Sequence, residues 1–262
     1  MPQLGLGTWP MDDAEVFDAV MTAFTLGYRL VDTAAQYGNE VGVGRAIAAT
    51  DVPREDAFVT TKLRGSEHGY ERTLSGFEES RRRLALDYVD LYLIHWPIPS
   101  QDLFVESWKA FIHLRDEGLV RSIGVSNFTE AQIERLVTET GEWPAVNQVE
   151  LHPRFSQPDL RAFHQTHGIA TEAWRPLGKG GDLADPVIAR LAAAHERTAA
   201  QVVLRWHVQL GNVTVPKSTR QERMQENIDV FEFTLSDEDM AAIAELDDGR
   251  RLGGDPDTEV QL

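Results

Sequence analysis

Residues 89–96 read VDLYLIHW. Apart from Asp90 the run is apolar until it reaches His95, with no alternation of polar and apolar positions. A half-exposed strand alternates, whereas a near-continuous apolar run predicts a parallel strand buried on both faces. Working outward, comparable runs are LGLGTW (4–9), YRLVDTA (28–34), AFVTTKL (57–63), VRSIGVSN (120–127), VNQVELH (146–152), IATEAW (169–174) and NVTVPK (212–217). Between them lie helical patterns such as AEVFDAVMTAFTLG, SGFEESRRRLALD, LFVESWKAFIHLRDEG and TEAQIERLVTETG. Thr129 supplies a helix start signal, and Gly27 and Gly118 supply stops. Eight strands alternating with helices over about 250 residues predict one (β/α)8 barrel, a TIM barrel, spanning residues 1–262. The rival is a doubly wound open sheet. It lacks its Gly-rich fingerprint here, because GVGRAI (42–47) falls inside a helical pattern and not at a strand–helix turn.

Composition narrows the function. The chain has 262 residues, is 42% hydrophobic and carries a formal net charge of −17. Such a field repels nucleic acid and anionic membranes. Without cysteine there is no disulfide, thiolate nucleophile or cysteine-held zinc. MPQLGLGTWP has no basic and apolar signal regions, and no apolar run approaches the roughly 20 residues that span a bilayer. A soluble cytoplasmic protein is expected.

In a barrel, chemistry gathers at the C-terminal ends of the strands. Those ends carry Asp32, Lys62, His95, Ser126 with Asn127, Gln148 with Glu150 and His152, Trp174, and Lys217 with Ser218. Tyr37 follows Asp32 in the loop AAQYGNE. Singly, Asp32 could cap a helix, Lys62 could reach solvent and His95 could be a satisfied core histidine. Together, on neighbouring strands, they can converge on one pocket. A tyrosine near pKa 10 is a poor acid, and a nearby ammonium lowers that value. Lys62, kept charged by Asp32, would make Tyr37 a general acid toward a developing alkoxide, while His95 orients and polarises a carbonyl. The hydride would have to come from a cofactor.

VPKSTRQERMQEN (215–227) gathers Lys217, Arg220 and Arg223 at the end of the eighth strand. It could be a solvated helix start, since Glu222 and Glu226 lie among the cations. It could equally be a phosphate pocket, because the loops after strands 7 and 8 and a helix N-terminus both favour anions.

VDTAAQYGNE, TTKL, LIHWP, GVSNF, NQVELHP, EAWRPLG and VPKSTRQERMQEN, in this order, resemble the aldo-keto reductases, and the short EAW-x-PLG form is similar to their bacterial diketogluconate reductase-like members. The likeness runs from LGLGTW to NIDVF and LSDEDM, nearly the whole chain. It implies NADPH-dependent carbonyl reduction on a (β/α)8 barrel, with Asp32, Tyr37, Lys62 and His95 as the catalytic tetrad. Relatives that reduce steroid carbon–carbon double bonds carry Glu at the His95 position, so the resemblance points to C=O. It places Ser126, Asn127 and Gln148 on the nicotinamide carboxamide, Trp174 against the ring, and Leu177 and Gly178 along the pyrophosphate. Lys217, Ser218 and Arg223 would surround the 2′-phosphate, with Glu226 and Asn227 near the adenine and Trp9 and Trp96 as apolar pocket walls. No metal is implied, and the family favours a monomer acting on a small-molecule carbonyl.

Departures from the family pattern carry their own expectations. The β-hairpin that usually plugs the barrel bottom is missing or greatly shortened, which predicts lower stability at that face. PIPSQDLFVESW (97–108) and the tail RRLGGDPDTEVQL (250–262) are short, so the pocket should be open to small aldehydes, ketones, dicarbonyls or keto-sugars. Arg64 and Arg175 replace an aromatic and a small residue and could face the pocket or solvent.

Other classes fare worse. A Schiff-base aldolase using Lys62 needs a depressed lysine pKa, which Asp32 would oppose, and it leaves the cations at 217–223 without a role. Ser126 lacks the nucleophile elbow of a serine hydrolase. The histidines form no HExxH pair, and His164 with His167 is expected at an exposed helix end. A cofactor-binding regulatory subunit would not need an intact Tyr37–Lys62–His95 set.

Overall fold

The computed structural model describes residues 1–260; residues 261 and 262 of the tail lie outside the described residues. Strand β1 (Leu6–Gly7) leads to helix α1 (Asp13–Thr25), then β2 (Leu30–Asp32), α2 (Glu40–Ala49), β3 (Phe58–Leu63) and α3 (Tyr70–Leu84). The alternation continues with β4 (Val89–Ile94), α4 (Phe104–Asp116), β5 (Val120–Ser126), α5 (Glu130–Thr140) and β6 (Val146–Glu150). Next come α6 (Pro158–His167), β7 (Ala170–Trp174), the pair α7 (Pro186–Ala194) and α8 (Ala199–Gln209), and β8 (Val213–Thr214). Helices α9 (Gln221–Ile228) and α10 (Asp237–Ala244) complete the order.

The eight strands pair in sequence order, all parallel. Closure comes from a parallel bridge between Leu4 and Thr214. The Gly5 amide donates to the Thr214 carbonyl at 2.8 Å and the Gly7 amide to that of Pro216 at 3.2 Å. The fold is the expected (β/α)8 barrel. Strands β1 and β8 are shorter than the apolar runs that announced them, because at this seam the ladder passes into single bonds across Leu4, Gly5 and Pro216.

Local sequence explains the elements. Asp12 caps α1 in a capping box with Glu15, and Thr129 caps α5 in another with Gln132. The glycines of GVGRAI are packing residues. A Cβ on Gly42 would lie 2.3 Å from the Asp13 carbonyl oxygen, and one on Gly44 2.2 Å from that of Leu84, so α2 can approach α1 and α3 only with glycine there. Inside the barrel, strand alternation turns Leu30, Phe58, Leu91, Leu93, Val146, Val213 and Val215 inward as small apolar clusters, while a larger core lies between strands and helices. Phe58 joins both interior clusters and stays partly exposed. Among the described residues no hairpin precedes β1.

Candidate active site

The loop carrying Tyr37 is held from below. Asn39 accepts from the Thr33 hydroxyl at 2.6 Å and donates to the carbonyls of Met11, at 3.0 Å, and Thr8, at 3.3 Å. Buried Glu40 accepts from Thr61 Oγ1 and from Arg83 Nε, each at 2.6 Å. Between these anchors residues 35–37 form a single 3-10 turn that points Tyr37 over the barrel mouth.

Beneath it Lys62, with no exposed surface, donates to Asp32 Oδ1 at 2.6 Å, to the Thr33 carbonyl at 2.9 Å and to Tyr37 Oη at 3.4 Å. Asp32 Oδ2 accepts from Gln148 Nε2 at 2.8 Å. Burial works to lower the Lys62 pKa, but Asp32 and Tyr37 outweigh it and the ammonium is held above its ordinary pKa. Tyr37 moves against expectation. Lys62 does pull its pKa down, yet burial is the larger effect and the phenol is raised overall. His95 sits edge-on to Tyr37, ring centroids 5.7 Å apart. Burial, then the Lys62 charge, lowers its pKa to about 3, so the imidazole is neutral.

The far wall is a hydrogen-bonded web. Ser126 Oγ donates to the Gln148 carbonyl at 2.8 Å, and Asn127 Nδ2 to the His95 carbonyl at 2.9 Å. Trp174 Nε1 donates to Asn127 Oδ1 at 2.8 Å, which fixes the indole plane. Asn127 holds a left-handed φ of 64° to do this.

These side chains surround one cavity of about 250 Å³. Asp32, Tyr37, His95, Ser126, Asn127, Gln148, Trp174, Lys217, Trp9 and Trp96 all line it, and Lys62 meets it through Asp32 and Tyr37. Arg175 lines it too, its guanidinium 5.0 Å from the Trp174 ring centroid and 5.9 Å from that of Trp9. Arg64 turns away and donates to the Ala35 carbonyl. Leu177 and Gly178 follow in the next turn, outside the cavity wall. Ser218, Arg223, Glu226 and Asn227 lie along the start and body of α9, beyond the cavity. Ser218 and Asn227 are buried, whereas Lys217, Arg223 and Glu226 are exposed. Among the described residues neither Lys217 nor Arg223 has an acidic partner, while Arg220 faces Glu222 at 3.9 Å.

A dinucleotide phosphate fits this donor set. The cavity offers an indole face and the Gln148 amide, and two cations without acidic partners among the described residues stand by the N-terminus of α9. A Cβ on Gly7 would lie 2.5 Å from the Val215 carbonyl oxygen, so glycine is what lets β1 pack against the segment after β8 that leads to Lys217.

Three features escaped the sequence reading or reversed it. His164 is fully buried, within 2.9 Å of Thr171 Oγ1 and 3.0 Å of Asn147 Nδ2; it belongs to the core and not to an exposed helix end. Glu150 and His152, visible only as polar strand-end residues, clamp the tail. Glu150 accepts from the amides of Leu252, at 2.6 Å, and Gly253, at 2.7 Å, while His152 stands 3.1 Å from Glu150 and 3.2 Å from Asp182. The short tail thereby still reaches the pocket wall, with Gly253 against Trp174 and Gly254 against Trp96. Glu172 carries no motif of its own in the sequence. It faces the barrel interior in register with Gln148, and its signal was its place two residues before Trp174 on the same face of β7.

A closed parallel barrel with a polar cavity at the C-terminal mouth of its strands defines a barrel enzyme. The profile of the Aldo/keto reductase family matches residues 2–248. An aldo-keto reductase of Mycolicibacterium smegmatis is 55% identical over 260 residues, 98% of this chain and 94% of that one. The methylglyoxal reductase DkgA of Escherichia coli is 48% identical over 259 residues, with 98% and 94% covered. A Gox0644 variant solved in complex with NADPH superposes with a TM-score of 0.96 at 49% identity, over 99% of this chain and 95% of that one. The Bombyx mori aldo-keto reductase in complex with NADP gives 0.90 at 38% identity, with 98% and 92% covered. The chain belongs to the aldo/keto reductase family, oxidoreductases that act on carbonyl groups. Among the described residues no helix is long and apolar enough to cross a membrane.

Proposed function

We propose that the protein reduces small polar aldehydes and ketones, α-dicarbonyls and keto-sugars among them, to alcohols with NADPH. The observation that carries this reading is the buried chain Asp32–Lys62–Tyr37 opening beside a neutral His95 in one cavity. NADPH, when bound, supplies the hydride. His95, neutral at working pH, can donate an N–H to the carbonyl oxygen and orient it. Tyr37, raised by burial, keeps its proton until the oxygen becomes an alkoxide, then gives it up. The phenolate left behind is stabilised by the Lys62 ammonium at 3.4 Å, and Asp32 keeps that ammonium charged.

Ser126, Asn127 and Gln148 would hold the nicotinamide carboxamide, and Trp174 would stack on the ring. Leu177 and Gly178 would follow the pyrophosphate, with Glu226 and Asn227 by the adenine. Lys217, Ser218 and Arg223 would bind the 2′-phosphate, which favours NADPH over NADH. In a chain of net charge −17, two cations without acidic partners among the described residues are the local change of sign that such a phosphate needs. Trp9 and Trp96 wall the substrate side. A name such as methylglyoxal reductase for a relative 48% identical supports the α-dicarbonyl class. The protein is taken to work as a cytoplasmic monomer, which sizing by light scattering checks.

The test is steady-state NADPH oxidation against aldehydes, α-dicarbonyls and keto-sugar acids. Wild-type protein should turn over several of them, and Tyr37→Phe should lose turnover while binding NADPH nearly as before. Turnover retained in Tyr37→Phe would remove that residue from the acid role.

A further inference from the structure

Glu172 is the one acidic side chain inside the barrel, among the described residues, with neither carboxyl oxygen hydrogen-bonded, and it has no exposed surface. An ionised carboxylate in such a place is strongly disfavoured, and an apolar side chain would fill the same space without penalty. Its position is specific. In register it lies between Gln148 on β6 and Val213 on β8, facing inward with Gln148. Gln148 donates to Asp32, Asp32 accepts from Lys62, and Lys62 reaches Tyr37. Glu172 therefore adjoins the inner end of the chain of groups to which the proposed function assigns proton transfer, and this inference rests on that assignment.

The charges around it are few. Asp32 reaches it from β2 and Lys62 from β3, and Tyr37, on the loop after β2, feels its charge in turn. The flanking strands bring Gln148 and Val213, neither of which titrates. Glu150, also on β6, is committed to the tail amides, and His95 is neutral. Burial first, and the Asp32 charge second, push the Glu172 carboxyl up to about 8, against a smaller downward pull from the neighbouring Gln148 amide and the Lys62 ammonium. With Glu172 neutral, one carboxylate and one ammonium balance beneath Tyr37. With Glu172 ionised, two carboxylates share the single ammonium, and a phenolate at Tyr37 loses the field that stabilises it.

We propose that Glu172 is a positioning residue for the Tyr37 proton transfer: as a neutral acid it leaves the Lys62 ammonium available to the phenolate, and as a carboxylate it takes that ammonium's charge and closes the transfer down. It acts through Lys62 and does not touch the substrate.

The experiment is single-turnover carbonyl reduction by the NADPH-loaded enzyme between pH 6 and 10, with NADPH affinity measured in parallel. Wild type should slow at least threefold between pH 7 and 9 without loss of NADPH affinity. Tyr37 cannot account for that limb, since its phenol titrates above the ordinary tyrosine value. Glu172→Gln, isosteric and uncharged, should abolish the limb or displace it by at least a pH unit. A side chain that merely packs would leave the profile where it was, and an unshifted limb in Glu172→Gln overturns the proposal. If that variant does not fold, infrared titration of the wild type decides. A buried carboxylic-acid carbonyl band at pH 7 that fades through pH 8 supports the assignment, and absence of such a band refutes it. Failure of the broader reading looks different: Tyr37→Phe would then keep its turnover whatever Glu172 does.

Discussion

Replacing Lys62 by methionine isolates the electrostatics of the site. The ammonium is fully buried, 2.6 Å from Asp32 Oδ1, and no other lysine or arginine pairs with Asp32 among the described residues. Lys62→Met therefore leaves a buried carboxylate with one hydrogen bond, from Gln148, and the neutral Glu172 nearby. Stranding one partner of a buried pair costs about 3–5 kcal/mol. Asp32 has an escape, because it can take up a proton. From an ordinary aspartate pKa near 3.9, that escape costs about 4.2 kcal/mol at pH 7 and only about 1.5 kcal/mol at pH 5. The sign follows. In the variant the buried Asp32 carboxylate is disfavoured in the folded state, so proton uptake relieves it and the variant gains stability relative to wild type as pH falls. Urea unfolding followed by tryptophan fluorescence should show a deficit of about 3–4 kcal/mol at pH 7 that shrinks to about 1.5 kcal/mol or less at pH 5. The pH 7 deficit corresponds to a midpoint about 6–16 °C lower on heating. A deficit below about 1 kcal/mol at pH 7, or one that does not change by pH 5, would refute the account of Lys62 as the charge that holds Asp32.

Arg223→Ala should weaken NADPH binding about tenfold or more while leaving NADH nearly unchanged, since a charge-assisted hydrogen bond to phosphate is worth about 1.5–3 kcal/mol; equal losses for both cofactors contradict the assignment. Four histidines are held neutral by burial, His68 and His164 near pKa 4 and His95 and His207 near 3. Each binds its proton only on unfolding, so wild-type stability should fall below pH 6.5 by about 1.4 kcal/mol per pH unit for each of them. His164→Asn should flatten that slope by about one proton, and an unchanged slope counts against it. His152 has the opposite sign. Burial lowers its pKa, but hydrogen bonds to Asp182 and Glu150 outweigh burial and raise it to about 9, so the stability it lends is complete below pH 6.5 and lost as pH rises through 9. Limited proteolysis should accordingly cut the tail faster at pH 9.5 than at pH 6.5, and Glu150→Gln should make cleavage fast at both.

Much of this molecule was legible from local pattern. Apolar runs such as VDLYLIHW announce buried parallel strands because side-chain period and burial are properties of a few consecutive residues. In a barrel the strand ends converge, so chain order alone places Asp32, Lys62, His95, Ser126, Gln148 and Trp174 around one cavity. Caps at Asp12 and Thr129 were equally local, each closed by a residue three positions on.

What the sequence could not supply is what depends on distance through space. The upward net shift of Tyr37 is not visible in the sequence, which shows Lys62 nearby but not the burial that opposes it, and burial is produced by the whole barrel. His164 reads as a helix-end polar residue until β6 and β7 close over it with Asn147 and Thr171. The tail reads as a short segment without partners, yet Glu150, more than a hundred residues earlier in the chain, holds the Leu252 and Gly253 amides beside the Trp174 wall. Residue types and their spacing were therefore enough for the barrel, the cavity and the identity of its reacting groups. Their protonation was decided only by tertiary structure, because desolvation and Coulomb interactions are sums over neighbours that the chain order does not bring together.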